Sequence, residues 1–447
     1  MGKLFGTDGI RGVANLELTP QLAYKVGRAA GYVLSKDKKG KVIVGQDTRL
    51  SGELLKAALV SGLMSIGLDV EVTGVIPTPG IAYLTRTGEY LAGVVISASH
   101  NPFEHNGIKF FSADGYKLPD RVEDQIEELI FDDTKIYKNA THADVGSMKY
   151  SEELLHKYEE YLIEISNVDL TGMKIAIDIG NGALYKIAQN VLERLGAEVV
   201  VVNDKPNGMN INDNCGSTNP GIIQNLVLET EADMGMSFDG DADRIIAVDE
   251  KGNIIDGDHI LAICATYLKE NGRLNNNTAV GTIMSNIGLK KYLNSIGVDL
   301  VQTKVGDRYI LEEMISKDYV IGAEQSGHVV FLEYNTTGDG LATGLHLLEV
   351  AKKSGKPLSE LNNLMTSYPQ VLINAKVRND LKNNYMSFPE VKEEIEKIEN
   401  EFGETGRVVI RPSGTEPLIR VMIEGEDEKL MEEKARELAD FIELKLN

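Results

Sequence analysis

The sequence predicts an α/β protein, with three related α/β domains of mostly parallel or mixed sheets followed by a smaller C-terminal α+β domain. A repeat carries the first part of that prediction. A strand, a Gly-containing or polar loop, a helix and a second strand opened by Gly recur three times. A change of pattern near residue 368 carries the second part, and 447 residues are more than one core can serve.

The first copy comprises an apolar strand and polar loop at 41–49, a helix over 54–66 and a strand at 67–74. The second has its strand and loop at 174–183, a helix ending at Leu195 and a strand at 196–203. The third begins at 279–286 and closes at 297–304. Such units build parallel or mostly parallel sheets covered by helices. Beyond residue 368, alternation at 370–377 gives a strand and 390–401 a charged amphipathic helix. Two further strands follow at 406–411 and 418–424, then a long final helix over 428–446. The acidic, poorly patterned stretch 131–146 marks the first boundary, and the domains are expected at 1–150, 151–250, 251–367 and 368–447.

A formal charge of −22 argues against nucleic-acid and anionic-membrane partners, which the general field would repel. A phosphorylated substrate must therefore meet a locally basic pocket. The two cysteines, Cys215 and Cys264, suggest no disulfide framework and a reducing compartment. With no export-like start and no membrane-length apolar run, a soluble, cytoplasmic protein is expected. A homodimer is compatible with these features.

Phe238-Asp239-Gly240-Asp241-Ala242-Asp243-Arg244 places three carboxylates at alternate positions directly after an apolar strand. On an extended segment they would point the same way and repel unless a hard divalent cation joined them. A helix-loop-helix calcium site fits less well: Glu250 stands at the twelfth loop position, but Arg244 occupies the sixth, which needs Gly. An acidic surface turn is the bland alternative. Residues 245–248 read as a second strand, so a hairpin-like metal loop is expected, with positions left for water or a phosphoryl oxygen.

A second loop, Ser99-His100-Asn101-Pro102, ends the buried-strand pattern of 91–98, where open α/β sheets bind ligands. Ser99 there is a nucleophile candidate with His100 beside it, and a plain turn is the alternative. Arg411-Pro412-Ser413-Gly414-Thr415-Glu416-Pro417-Leu418-Ile419-Arg420 sets small hydroxyl and Gly residues between two arginines. Backbone N–H groups, hydroxyls and guanidinium forks suit a phosphate. Glu324-Gln325-Ser326-Gly327-His328 offers a carboxylate, an amide, a hydroxyl and an imidazole, an inventory suited to sugar hydroxyls or to a satisfied polar turn. Arg11, set among glycines in residues 5–12, could reach a phosphate. Lys109 reads by default as a surface charge, with proton transfer as the alternative.

In this order, the four longer loops resemble those of the α-D-phosphohexomutase superfamily, most closely its phosphoglucosamine mutase branch, over essentially the whole chain. Ala323 stands where a Gly is common in that branch. The resemblance implies four domains around a central cleft and a reversible conversion of glucosamine 6-phosphate to glucosamine 1-phosphate, passing through a 1,6-bisphosphate. It implies phosphorylation on Ser99, with Mg²⁺ held by Asp239, Asp241, Asp243 and the Ser99 phosphate. Glu324 and Ser326 would hold sugar hydroxyls. Arg411, Ser413, Gly414, Thr415 and Arg420 would grip the phosphate that is not transferred. Arg11, Lys109 and His328 would stabilise charge or move protons. Three alternatives stay open: glucose or mannose phosphates as substrates, a phosphatase with an Asp239 or Asp241 nucleophile, and a phosphosugar-binding protein without turnover.

Overall fold

The computed structural model describes residues 4–6, 8–36, 38–132, 139–403, 406–413 and 416–447. Each of the three repeats forms a parallel strand pair. Lys41–Gln46 lies beside Asp69–Val75, Lys174–Asp178 beside Glu198–Val202, and Thr278–Thr282 beside Asp299–Thr303. The crossovers are the helices Gly52–Ser65, Ala188–Arg194 and Ile287–Ser295, because parallel neighbours cannot be joined by a tight turn.

The first sheet orders its six strands as Ile10–Val13, His105–Ser112, Ala92–Ile96, Lys41–Gln46, Asp69–Val75 and Met148–Tyr150. His105–Ser112 runs antiparallel to both neighbours and the other pairs are parallel, so the sheet is mixed. In the second sheet Met234–Phe238 and Ile245–Asp249 pair antiparallel, which makes 239–244 a hairpin loop. In the third, Ile321–Ala323 and Val329–Phe331 do the same around 324–328. The C-terminal unit is an antiparallel sheet ordered Gln370–Lys376, Leu418–Gly425, Gly406–Pro412, with helices Pro389–Phe402 and Glu428–Leu446 packed against it. The expected fold class is therefore the observed one.

Alternation along the strands of the first sheet sends Ile43 and Val95 to one face and Val42, Val44, Val94 and Ile96 to the other. The Ile43 face joins a core that continues through Ile177 and Met236 to Leu345, binding three sheets into one apolar mass. Residues beyond 370 have a core of their own around Val421, Ile423 and Leu438. Polar contacts fasten this unit to the third sheet. Arg407 pairs with buried Glu424 and donates to the carbonyls of Ile283, at 3.1 Å, and Ser285; Glu424 accepts the Ile287 N–H at 2.9 Å.

Candidate active site

Ser99, Asp239 and Glu324 all lie just past the carboxyl ends of strands, and the mixed sheets aim those ends at a common cleft. Its centre is a cavity of about 530 Å³. Asp8 and Arg11 enter from the first domain, Asp243 and Arg244 from the second, Asp307, Glu324, Ser326 and His328 from the third, and Arg411 from the fourth.

The three aspartates converge, with ligand oxygens within 4.8 Å of one another and all three residues buried. They do so by a different route from the one the sequence suggests. Residues 239–243 are not extended: Ala242 has φ 59° and donates its N–H to the Asp239 carbonyl at 3.0 Å, so a turn gathers the carboxylates. The oxygens Asp241 Oδ1 and Asp243 Oδ1 are buried with no hydrogen-bond partner, which is costly for a carboxylate and fits a cation-binding set. Burial, then Asp243 and Asp241, push the Asp239 carboxyl well above its ordinary value. A hard divalent ion would relieve that repulsion by replacing the proton.

Ser99 meets this triad directly, its Oγ donating to Asp239 Oδ2 at 2.6 Å. The residue is buried in a left-handed conformation, φ 53°, which costs energy for any side chain with a Cβ. Hydrogen bonds hold it there. Its N–H donates to Ser97 Oγ at 3.0 Å, and its carbonyl accepts from Arg49 Nη2 at 3.1 Å and Asn212 Nδ2 at 2.9 Å. Arg49 is itself buried and paired with Asp47. A Cβ on residue 240 would stand 2.7 Å from the Ser99 carbonyl oxygen, so only Gly240 lets the two loops approach this closely. His100 Nδ1 lies 3.3 Å from Ser99 Oγ; burial, then Arg244 and Arg11, lower its pKa to about 4, leaving it neutral at physiological pH.

Lys109 corrects the surface reading. It is buried, with Nζ 2.8 Å from Asp241, 3.0 Å from Asp8 and 3.5 Å from Asp243. Burial disfavours its charge, but these carboxylates outweigh that and hold its pKa above the ordinary value. His328 is likewise buried, with Nδ1 3.8 Å from Asp243 and Nε2 accepting the Gly338 N–H at 3.1 Å. Burial opposes protonation there too, and the nearby carboxylates of Asp243, Asp307 and Glu324 outweigh it and raise its pKa.

Glu324 Oε1 accepts the Gly306 N–H at 3.1 Å, and Ser326 stands exposed beside it. Arg411 and Arg420 are direct cross-strand partners in the antiparallel pair Gly406–Pro412 with Leu418–Gly425. Burial and the neighbouring Arg420 lower the Arg411 pKa and the Glu324 carboxylate offsets them only in part, the mark of two cations held side by side. Arg411 lines the cavity; Arg420 stands 3.9 Å from Glu416, and Ser413 Oγ accepts the Glu416 N–H at 3.2 Å. Gly414 and Thr415 lie outside the described residues.

Several residues of the site escape sequence reasoning. Asp8 pairs with Arg11, Lys109 and Lys117, which outweigh burial and keep its carboxyl well below the usual range. Lys117 also reaches Asp307 across the domain boundary. Asp47, Arg49 and Thr78, whose Oγ1 donates to Asp241 Oδ2 at 2.5 Å, complete the shell. Asp47 and Arg49 had a signal, since they follow the first strand of the first repeat. Thr78 and Lys117 had none, because their partners are far away in sequence.

Four family models match the chain in order: the phosphoglucomutase/phosphomannomutase alpha/beta/alpha domains I, II and III at 2–137, 149–252 and 256–368, and the C-terminal domain at 372–441. A phosphoglucosamine mutase of Alkaliphilus metalliredigens is 56% identical over 447 residues, all of both chains. One from Finegoldia magna is 54% identical over 443 residues, 99% of each. A phosphoglucomutase/phosphomannomutase family protein from Burkholderia thailandensis superposes with TM-score 0.83 at 24% identity, over 100% of this chain and 98% of the other. Aspergillus fumigatus N-acetylphosphoglucosamine mutase, solved with GlcNAc-6P and magnesium, gives 0.73 at 17% identity, over 99% and 96%. The chain belongs to the phosphoglucomutase/phosphomannomutase family and, by its full-length identity to such relatives, to the phosphoglucosamine mutase branch of it.

Proposed function

We propose that the chain interconverts glucosamine 6-phosphate and glucosamine 1-phosphate by way of a phosphoserine at residue 99 and a glucosamine 1,6-bisphosphate. The observation that carries this reading is the 2.6 Å contact of Ser99 Oγ with a buried three-carboxylate cluster facing a polar, sugar-sized cleft. Asp239, Asp241 and Asp243 would hold a Mg²⁺ ion together with the seryl phosphate. The metal supplies charge neutralisation for phosphoryl transfer.

In the forward half-reaction the bond between phosphorus and Ser99 Oγ breaks as a new one forms to the free sugar hydroxyl, whose proton leaves to the site's bases. The bisphosphate turns over, and Ser99 takes back the other phosphoryl group. Lys109 and Arg11, fixed cations beside the reacting centre, stabilise the equatorial charge. Neutral His100 orients the Ser99 oxygen, and His328, held against Asp243, serves proton transfer. Glu324 and Ser326 grip ring hydroxyls. Arg411, Ser413, Gly414, Thr415 and Arg420 hold the spectator phosphate, and closure of the last domain around it excludes water from the phosphoserine. The four units are taken to divide near residues 150, 250 and 367, in keeping with the family-model spans. The two buried, unpaired cysteines favour the cytoplasm.

Turnover of glucosamine, glucose and mannose 6-phosphates side by side, with intact mass of the enzyme, tests the reading. Preference for the amino sugar and an acid-stable phosphate on Ser99 are expected. A hydroxylamine-labile acyl phosphate would instead identify an aspartyl phosphatase.

A further inference from the structure

The mutase chemistry leaves one carboxylate in the cavity wall without a task. Asp239, Asp241 and Asp243 form the cation-binding set, Asp8 is spent on Arg11, Lys109 and Lys117, and Glu324 faces the sugar hydroxyls. Asp307 remains. Its Oδ1 accepts the Arg308 N–H at 2.8 Å, and Oδ2 meets Lys117, which it shares with Asp8, and His328 Nε2 at 3.5 Å. Its side chain keeps 15% of its exposure at the cavity wall, so a ligand can still reach it.

Two features give this carboxylate a direction. It already binds a primary alkylammonium, the Lys117 side chain, and that is the functional group which distinguishes glucosamine phosphates from glucose and mannose phosphates at neutral pH. It also adjoins the hydroxyl-binding wall, because the Gly306 N–H beside it donates to Glu324 Oε1 at 3.1 Å. On the sugar ring the 2-ammonium is the immediate neighbour of the 3-hydroxyl. With the 3-hydroxyl on Glu324 and the ring turned so that C2 lies on the Gly306 side, the 2-substituent meets the segment containing Asp307.

We propose that Asp307 is a specificity-determining residue that accepts the 2-ammonium group of the substrate, sharing the cleft's negative charge between that cation and Lys117. This deepens the substrate reading given above and rests on it. The charge is matched only by an amino sugar; a neutral 2-hydroxyl gains less from a carboxylate already served by lysine, and a bulky N-acyl group carries no cation to pair.

The test compares kcat/KM of phosphorylated, Mg²⁺-loaded enzyme on glucosamine 6-phosphate and glucose 6-phosphate for wild type, Asp307→Asn, Asp307→Glu and Lys117→Met. Asp307→Asn should lower the glucosamine value about tenfold or more and the glucose value less than about threefold. Asp307→Glu, which keeps the charge, should retain the wild-type ratio within about threefold. Lys117→Met removes the competing cation and should raise the preference for the amino sugar, which keeps the test alive if Asp307→Asn fails to fold. Equal losses on both sugars in Asp307→Asn, or a lowered preference in Lys117→Met, would overturn the assignment. A wild type with no preference would overturn the substrate reading and this inference together, whereas a preferring wild type with an equally preferring Asp307→Asn would overturn the inference alone.

Discussion

Around Ser99 the charges are buried, paired and carried on loops rooted in a core common to three sheets, whereas around Arg411 two half-buried guanidiniums stand side by side on a unit with its own core. The first arrangement is preorganised: Lys109, Thr78, Arg49 and Asn212 hold the reacting loops through contacts within the protein itself. The second would gain from an added anion, since Arg420 disfavours the charge on Arg411. Transition-state stabilisation needs groups that do not reorganise during reaction, while a cradle that takes either end of a flipping bisphosphate needs to open and release it. The same chain thus places rigidity at the proposed chemistry and spare charge at the proposed grip.

Substitutions in the two regions should therefore fail in different ways. Ser99→Ala gives the largest effect: phosphoryl exchange should fall by at least about a thousandfold, with near-UV circular dichroism and the unfolding midpoint close to wild type. A phosphorylated and fully active Ser99→Ala enzyme would remove the centre of the account.

Lys109→Met should injure folding as well as activity. It leaves Asp8, Asp241 and Asp243 without their common cation, and breaking a buried pair from one side costs about 3–5 kcal/mol. Denaturant unfolding checks this, and added Mg²⁺ should restore part of the lost stability by occupying the same carboxylates. A variant as stable as wild type in the absence of metal would show that the buried charges are not preorganised by lysine.

Arg420→Ala should leave stability nearly unchanged and lower kcat/KM by roughly ten- to a hundredfold for the 1-phosphate and 6-phosphate alike, with only partial rescue by lysine. Phosphoserine content should stay at the wild-type level, because the cradle is proposed to touch substrate and not Ser99. Unaltered kinetics on both monophosphates would refute the grip.

The smallest effect belongs to the junction between the regions. Asp258 opens the helix Gly257–Glu270, accepts the Asn286 N–H at 2.7 Å and leaves its Oδ1 buried and unpaired, while Asn286 Nδ2 donates to the Tyr368 carbonyl at the start of the last unit. Burial, then Asp256, push its carboxyl up to about 7 from the ordinary 3.8. With the folded value above the unfolded one, its contribution is complete below about pH 4 and is lost as pH rises through 7. Asp258→Asn should therefore gain about 2 kcal/mol on wild type between pH 5.5 and 8. Parallel stability curves over that range would show that the carboxyl ionises freely.

Much of this architecture was legible locally. The three Gly-opened repeats announce parallel strand pairs, and the switch at residue 368 announces an antiparallel unit, because periodicity and turn residues act over a few positions. What was not legible is tertiary. Nothing near Lys109 in sequence reveals that Asp8, Asp241 and Asp243 surround it, and nothing near Arg49 or Asn212 shows that both reach the Ser99 carbonyl. The aspartate triad is an instructive middle case. Alternation anticipated that the three carboxylates would meet, but a left-handed Ala242 in a hairpin turn brings them together, and the strand pleat does not.

The central claim is that Ser99 carries the transferred phosphate, and following that phosphate tests it most directly. Enzyme radiolabelled on its phosphoserine and mixed with unlabelled glucosamine 6-phosphate should lose label from residue 99 at the rate of turnover. The label should appear first in the 1,6-bisphosphate and then in both monophosphates. Label that stays on the protein while substrate turns over, or that leaves as inorganic phosphate at the turnover rate, would contradict the account.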